Sequence, residues 1–200
     1  MTKLTLDDIA DVRAYERERD EFRARVIDLK QKRRVHVGPF VTFVFENRDT
    51  IRFQIQEMAR VEKILSDEAI AHELDTYNPL IPEPGMLSAT LFIELTDKPA
   101  LMEWLPKLVG IETRVELRIG EGEARRTVGC VVDPEHEKQL TREEITASVH
   151  YVHFDLDADD VAAFGRGPVE LAITHPSYEH ATTLGDGTRE ELARDLREGG

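Results

Sequence analysis

The sequence has a single cysteine in 200 residues. That excludes an internal disulfide, a cysteine-ligated zinc centre and a self-contained iron–sulfur cluster. It has no apolar run approaching the roughly twenty residues a membrane span needs. The opening residues, MTKLTLDDIADVRAYERERDE, are charged where a signal peptide would be apolar, so the expectation is a cytoplasmic protein. Positive charge is also scarce: 26 Lys and Arg stand against 40 Asp and Glu, a net charge of −14. A field of that sign repels phosphate backbones and anionic lipid, which argues against nucleic acid and membrane as partners. The common cofactor motifs are missing. There is no G-x-x-x-x-G-K-[ST] to cradle a phosphate. Gly120 and Gly122 begin a G-x-G, but Arg125 stands at the third glycine position, and the stretch lies between two expected strands rather than a strand and a helix. G-x-S-x-G, H-E-x-x-H and C-x-x-C are absent, as is the Glu-x-x-His pair of di-iron bundles. No cofactor is expected.

With 40% hydrophobic and 33% charged residues, the chain has a globular composition and enough length to bury a core without cross-links. Thr5-Leu6-Asp7-Asp8 fits a capping box, with Leu6, Ile9 and Val12 following at helical spacing. A second helix is expected from about Asp20 to Arg34 on the stripe Phe22, Val26 and Leu29, with Ile27 alongside. Its last turn carries Lys30, Lys32, Arg33 and Arg34, read as solvated cations that suit the negative end of the helix dipole. Val35–Val37 and Phe40–Phe45 read as strands, the latter apolar on both faces and therefore central. Ile51, Ile55, Met58, Val61 and Leu65 hold a helical stripe for which Asp49 is a plausible N-cap. Ser66 caps a short helix through Ile70 and Leu74, and three prolines make Tyr77–Gly85 a loop.

Leu87 to Leu95 alternates cleanly, with Ser88, Thr90 and Glu94 on the other face. Asp97 and Pro99 open a helix through Leu108; Val115–Ile119 and Val128–Val132 form a hairpin; Asp133–Glu144 is a charged connection. Strands at Val149–Leu156 and Val169–Ile173, a helix from Asp157 to Phe164 and a closing helix from Arg189 to Leu196 complete the chain. The order mixes helices and hairpins without repeats or linkers. It predicts one α+β domain over residues 1–200, a mostly antiparallel sheet flanked by helices, with a helical N-terminal part over about 5–34.

Few residues suggest chemistry. Cys130 alternates with Val128 and Val132 on one strand face and reads as a buried structural thiol. Glu68 and His72 lie at i, i+4 and could share a cation, but a surface pair is the default because no third ligand is evident. His150 and His153 point to opposite faces of their strand, so they cannot hold one ion between them; His153 shares a face with Tyr151 and Asp155. His175 and His180 flank Pro176-Ser177-Tyr178 in an expected loop. His72 and His153 are thus secondary metal candidates in a chain for which no metal is expected. The richest polar cluster is Glu46-Asn47-Arg48-Asp49 followed by Arg52, Gln56, Glu57 and Arg60. Arg52, Gln56 and Arg60 form one i, i+4 ridge that could clamp a carboxylate or phosphate beside a helix N-terminus. The alternatives are a solvated face with both arginines paired to carboxylates, a buried polar network, or a partner surface.

Three stretches carry a resemblance. They are Arg33-Arg34-Val35-His36-Val37-Gly38-Pro39, Phe45-Glu46-Asn47-Arg48-Asp49-Thr50 running on to Gln54-Ile55-Gln56-Glu57-Met58, and His72-Glu73-Leu74-Asp75-Thr76-Tyr77-Asn78-Pro79-Leu80-Ile81-Pro82. With these the chain resembles an uncharacterised bacterial family known as domain of unknown function 3501, from about Leu4 to His153. The motifs coincide with the polar cluster and add Tyr77 and Asn78 to the candidate residues. The family has no assigned activity, so no residue role is carried over. Its genes often stand beside those for a rubrerythrin-like protein and an iron–sulfur or flavin-linked oxidoreductase. The resemblance therefore implies an accessory component of a redox or peroxide-handling system, with such a protein as partner, whose complex charge reversal at Arg52 or Arg60 would weaken. A small-molecule or metal enzyme, using Glu57, His72 or His153 with Arg48 or Arg52 on an anion, is the second reading. An anion-sensing regulatory domain is the third.

Overall fold

The computed structural model describes residues 3–132 and 144–200. The capping box closes as expected, Thr5 N donating to Asp8 Oδ2 at 2.8 Å, but it opens only a single 3-10 turn, Leu6–Asp8. The first long helix, α1 (Val12–Arg33), starts eight residues before the expected Asp20, because Asp11 accepts from the Arg13 and Ala14 amides and so caps it earlier. Strands β1 (Arg34–Val37) and β2 (Val41–Phe45) follow as predicted.

Helix α2 (Arg48–Glu62) takes up the expected helical stripe as far as Val61, and Leu65 lies beyond its end. Its N-cap is Asn47, not Asp49: Asn47 Oδ1 accepts from Thr50 N while Thr50 Oγ1 accepts from Asn47 N. Asp49 lies inside the first turn, exposed, where a carboxylate suits the helix dipole. Helix α3 (Asp67–Tyr77) is capped by Ser66, and the proline-rich loop holds one 3-10 turn, Asn78–Leu80.

The rest of the chain gives β3 (Met86–Ile93), α4 (Lys98–Lys107), β4 (Val115–Ile119), β5 (Arg126–Gly129), β6 (Val149–Asp155), α5 (Ala158–Phe164), β7 (Val169–His175), β8 (Tyr178–Thr183) and α6 (Asp186–Glu198). The connection expected at Asp133–Glu144 lies outside the described residues apart from Glu144. The fold is α+β, as the element order predicts, but its strands form two antiparallel four-stranded sheets rather than one. Their orders are β1-β2-β3-β6 and β5-β4-β7-β8. The strand β8 replaces part of the expected loop. His175 and His180 therefore sit on paired strands, with Pro176-Ser177 as the turn between them.

The two sheets face each other across the main core. Phe43, Phe45, Leu91 and Phe154 come from the first sheet, Leu117, Leu171 and Ile173 from the second, and Leu192 from α6. Each such side chain contributes about 1.5–3 kcal/mol by leaving water. The opposite face of the first sheet, where the alternation leaves Ser88 and Thr90, is covered rather than solvated. A second cluster of Ile51, Ile55, Ile70 and Leu74 from α2 and α3, with Leu80 and Ile81 from the loop, packs beside it, and Tyr151 joins that cluster. The layers are thus helices α2 and α3, first sheet, second sheet. Among the described residues, no helix is long and apolar enough to cross a membrane.

Tyr178 and Thr182 of β8 tie the sheets at one end, Thr182 Oγ1 donating to His36 O at 2.7 Å. Tyr178 Oη accepts from the Phe40 and Val41 amides at 3.2 Å each and donates to Val37 O at 2.8 Å. This brings the β7–β8 hairpin against the β1–β2 turn. Gly38 in that turn has φ +72°, and a Cβ there would stand 2.6 Å from both the Tyr178 hydroxyl and the His180 ring. Only glycine satisfies both demands.

Candidate functional site

The polar cluster of the sequence divides into two structures. The first is internal to the sheet–helix interface. Glu46, the residue after β2, has its side chain on the helix-covered face and is 3% exposed. One carboxylate oxygen accepts from the Thr50 hydroxyl of α2 at 2.5 Å and the other from the Thr90 hydroxyl of β3 at 2.6 Å. Beside Thr90, across the ladder, is Tyr151. Its phenol shares hydrogen bonds with Gln54 and Tyr77, and burial, the dominant effect, pushes its pKa up. Tyr77 thus joins the Glu46 layer through Tyr151.

The second structure binds α2 to the N-terminal segment and α1. Arg48 reaches Asp8 at 2.5 Å. The Thr5 amide and the Arg48 guanidinium hold the Asp8 carboxyl below its usual range. Arg52 Nε donates to Asp8 O at 2.8 Å, its guanidinium reaches Glu18 at 3.3 Å, and it lies 4.9 Å above the Phe22 ring. Gln56, 1% exposed, accepts from Ala10 N at 2.7 Å and donates to Ala10 O at 3.1 Å. Asn78 does the same with Leu4, at 2.8 and 2.9 Å. Two side-chain amides therefore pair with the N-terminal backbone as a neighbouring strand would. Glu57 accepts from Tyr15 Oη at 2.7 Å and from Arg19 and Arg60. The hydrogen bond from Arg19, aided by Tyr15 and Arg60, overcomes partial burial and brings the Glu57 pKa down to about 2.

The ridge Arg52-Gln56-Arg60 does lie on one face of α2, but it is a packing face: each of the three has a partner on the N-terminal segment or α1, Arg60 reaching Glu16 at 3.8 Å. The geometry matches the buried-network alternative more closely than an open anion clamp.

An open feature lies elsewhere. A cleft of about 150 Å³ on the helix-covered face of the first sheet is walled by Pro79, Leu80 and Met86, with Ser88, Tyr151 and His153 presenting polar groups. It is one edge of the same layer that holds Glu46. Nothing in the sequence alone connects Ser88 and Thr90 with Glu46. Their alternation is legible, but a strand's polar face reads as a solvent face until α2 and α3 are known to cover it.

A scan against family models matches a protein family of unknown function, DUF3501, over residues 3–196. The chain belongs to the DUF3501 family. It is also similar to a solved structure, a novel protein of unknown function from Burkholderia pseudomallei K96243, at 36% identity and a TM-score of 0.88, covering 98% of this chain and 100% of that one. A search of curated proteins finds no match.

The remaining candidates of this DUF3501 chain do not converge. His72 is exposed on α3 with Glu68, near Asp75 in an open surface depression. His153 lies in the cleft, its Nε2 3.8 Å from Asp155. Glu57 belongs to the α1–α2 ion network. Among the described residues no group of three His, Cys, Asp or Glu is placed to hold a metal ion. Cys130 is partly buried, its Sγ 3.0 Å from Glu112 O, and burial pushes its thiol pKa up, away from a reactive thiolate.

Sequence reasoning missed two buried charge groupings. Arg33, read as solvated, is 1% exposed and donates to Asp195 at 2.6 and 3.0 Å and to Glu191 at 3.1 Å. Its partners are 158 and 162 residues away, so no local pattern announces them. Glu112 is wholly buried, and among the described residues neither of its carboxylate oxygens is hydrogen-bonded; it lies 3.9 Å from His150 Nδ1. His150 is on the opposite face of β6 from the cleft.

Proposed function

We propose that this DUF3501 protein is a non-catalytic accessory that docks onto a rubrerythrin-like or iron–sulfur/flavin oxidoreductase of a redox or peroxide-handling system in the cytoplasm. The observation that carries this reading is the use of charge. The arginines and carboxylates of α2 hold the protein together, while Val61 in its last turn and Leu65 just past its end are left outward. Val61 is 66% and Leu65 80% exposed, and Leu6 opposite them is 41% exposed. Leu6, Ile9, Ile64 and Leu65 line a shallow groove of about 130 Å³, with Asp11 and Asp67 at its rim. Exposed Asp7, Glu62 and Glu68 flank it in sequence against Lys63 and Arg13. An apolar strip with an acidic border suits an amphipathic partner segment with basic flanks. Arg52 and Arg60 are engaged internally, so the docking surface moves from the ridge to this groove.

The test is anaerobic purification of the tagged protein from its own host, as wild type and as Leu65→Glu, followed by mass spectrometry. A near-stoichiometric redox protein with the wild type, lost from the variant, is expected. Recovery of the wild-type protein alone, or of the same partner with both forms, overturns the reading.

A further inference from the structure

The cleft beside Tyr151 has the features of a small-molecule site. Ser88 and His153 are directly opposed in the β3–β6 ladder. Ser88 O accepts from Glu46 N on one side, and His153 exchanges both backbone bonds with Val131 on the other. Their backbone groups point away from each other, so the two form a non-hydrogen-bonded pair, the arrangement in which opposed side chains stand closest. Yet Ser88 Oγ and the His153 ring nitrogens make no hydrogen bond among the described residues. Ser88 is only 2% exposed. Its hydroxyl is not among the described side-chain atoms buried without a partner, so it opens onto the cleft that Ser88 lines and is free to bond to what occupies that space. The nearby Thr50 and Thr90 hydroxyls, by contrast, are both spent on Glu46.

Size and charge narrow the occupant. A cavity of about 150 Å³ takes one benzene ring, and this cleft has that volume. Its walls at Pro79, Leu80 and Met86 are apolar. An anion would meet Glu46 behind Tyr151 and Asp155 beside His153, with no arginine or lysine among the lining residues. A cation would find the Glu46 oxygens already occupied.

We propose that the cleft binds a small uncharged single-ring molecule bearing a hydrogen-bonding group, a phenol or a neutral N-heterocycle, through the Ser88 hydroxyl and the His153 imidazole. The ring lies between Met86 and the Pro79-Leu80 turn, and its polar group faces the β3–β6 pair. Nothing in this assignment depends on the docking groove.

The experiment titrates the ¹⁵N-labelled full-length protein with phenol, and separately with benzene and benzoate, following amide shifts. Phenol is expected to perturb residues around Ser88 and His153 and to bind more tightly than the other two. Ser88→Ala, which removes one oxygen and leaves the packing, weakens phenol about fivefold, the factor for a hydrogen bond of about 1 kcal/mol, and leaves benzene unchanged. His153→Gln, at a side chain already 32% exposed, serves as the second variant and also weakens phenol. Equal binding of phenol and benzene, tighter binding of benzoate, no phenol shifts at the cleft, or full phenol affinity in both folded variants overturns the proposal.

Discussion

Two of the charged contacts that helix α1 makes with the rest of the protein behave oppositely. In its middle, Arg19 meets Glu57 at a site where both side chains keep about a quarter of their exposure, 24% and 23%. At its end, Arg33 meets Asp195 and Glu191 with exposures of 1%, 7% and 12%. Both place carboxylates within hydrogen-bonding distance of a guanidinium. The Glu57 pKa falls to about 2, whereas burial drives the Asp195 pKa above its ordinary value despite Arg33. Desolvation and the attraction of the guanidinium compete, and depth decides which wins. Among the described residues each network leaves one guanidinium nitrogen buried without a partner, Arg33 Nε at the deeper site and Arg60 Nε at the shallower, so depth and not completeness of pairing separates them.

The largest expected effect breaks the deeper contact. Arg33→Met leaves the buried Asp195 without its hydrogen-bonded cation and Glu191 with only the half-exposed Arg194 at 3.3 Å, and is expected to cost about 3–5 kcal/mol by chemical denaturation, while replacing Asp195 and Glu191 by Leu in the same chain restores most of it. A single variant as mild as a surface change would erase the contrast.

Next is Glu57→Gln, which weakens a network reaching the fully buried Tyr15 and is expected to cost about 1–2 kcal/mol once solvent screening is allowed for. Its pH dependence sharpens the comparison. Because the folded pKa is depressed, unfolded chains bind the extra proton, and stability rises with pH between about 2 and the usual carboxylate value of 4.5. The wild-type advantage over Glu57→Gln is therefore full above that range and fades as pH falls through it. Asp195, with a raised pKa, contributes the opposite slope, stability falling as pH rises from its ordinary value of 3.8. Asp195→Asn removes that slope, which denaturation at stepped pH measures directly.

The smallest effect is at the neighbouring residue. Arg34 pairs with Glu94 at 3.1 Å with both side chains about two-fifths exposed, 40% and 43%, and Arg34→Ala is expected to cost about 0.5 kcal/mol or less.

Arg33 and Arg34 also show where sequence reading ends. In the sequence both are cations of the expected last helical turn, and periodicity places both near the surface; in the structure Arg33 ends α1 and Arg34 opens β1, and the carboxylates that bury Arg33 arrive on α6, more than 150 residues later. Elements whose determinants are local were legible: the Ser66, Asp97 and Asp157 caps, the alternation of β3, and the central position of β2. The β7–β8 hairpin was not, because Pro176-Ser177 reads as loop chemistry and the exposed face of β8 gives its strand little apolar signal. The candidate site was legible in composition but not in use. The amides of Gln56 and Asn78 look like ligand contacts in a sequence, and become backbone partners once Leu4 and Ala10 lie beside them.

The Tyr178 hydroxyl joins Val37, Phe40 and Val41 across as many as 141 positions of chain. During synthesis the first strands emerge long before their closing group exists. The Phe40 and Val41 amides and the Val37 carbonyl then lack their native partner, and Gly38 turns on nothing. The β1–β2 turn can be completed only when the β7–β8 hairpin has been made. The two sheets are thereby committed to a common final step, and a chain halted before Tyr178 carries its first hairpin as an open end.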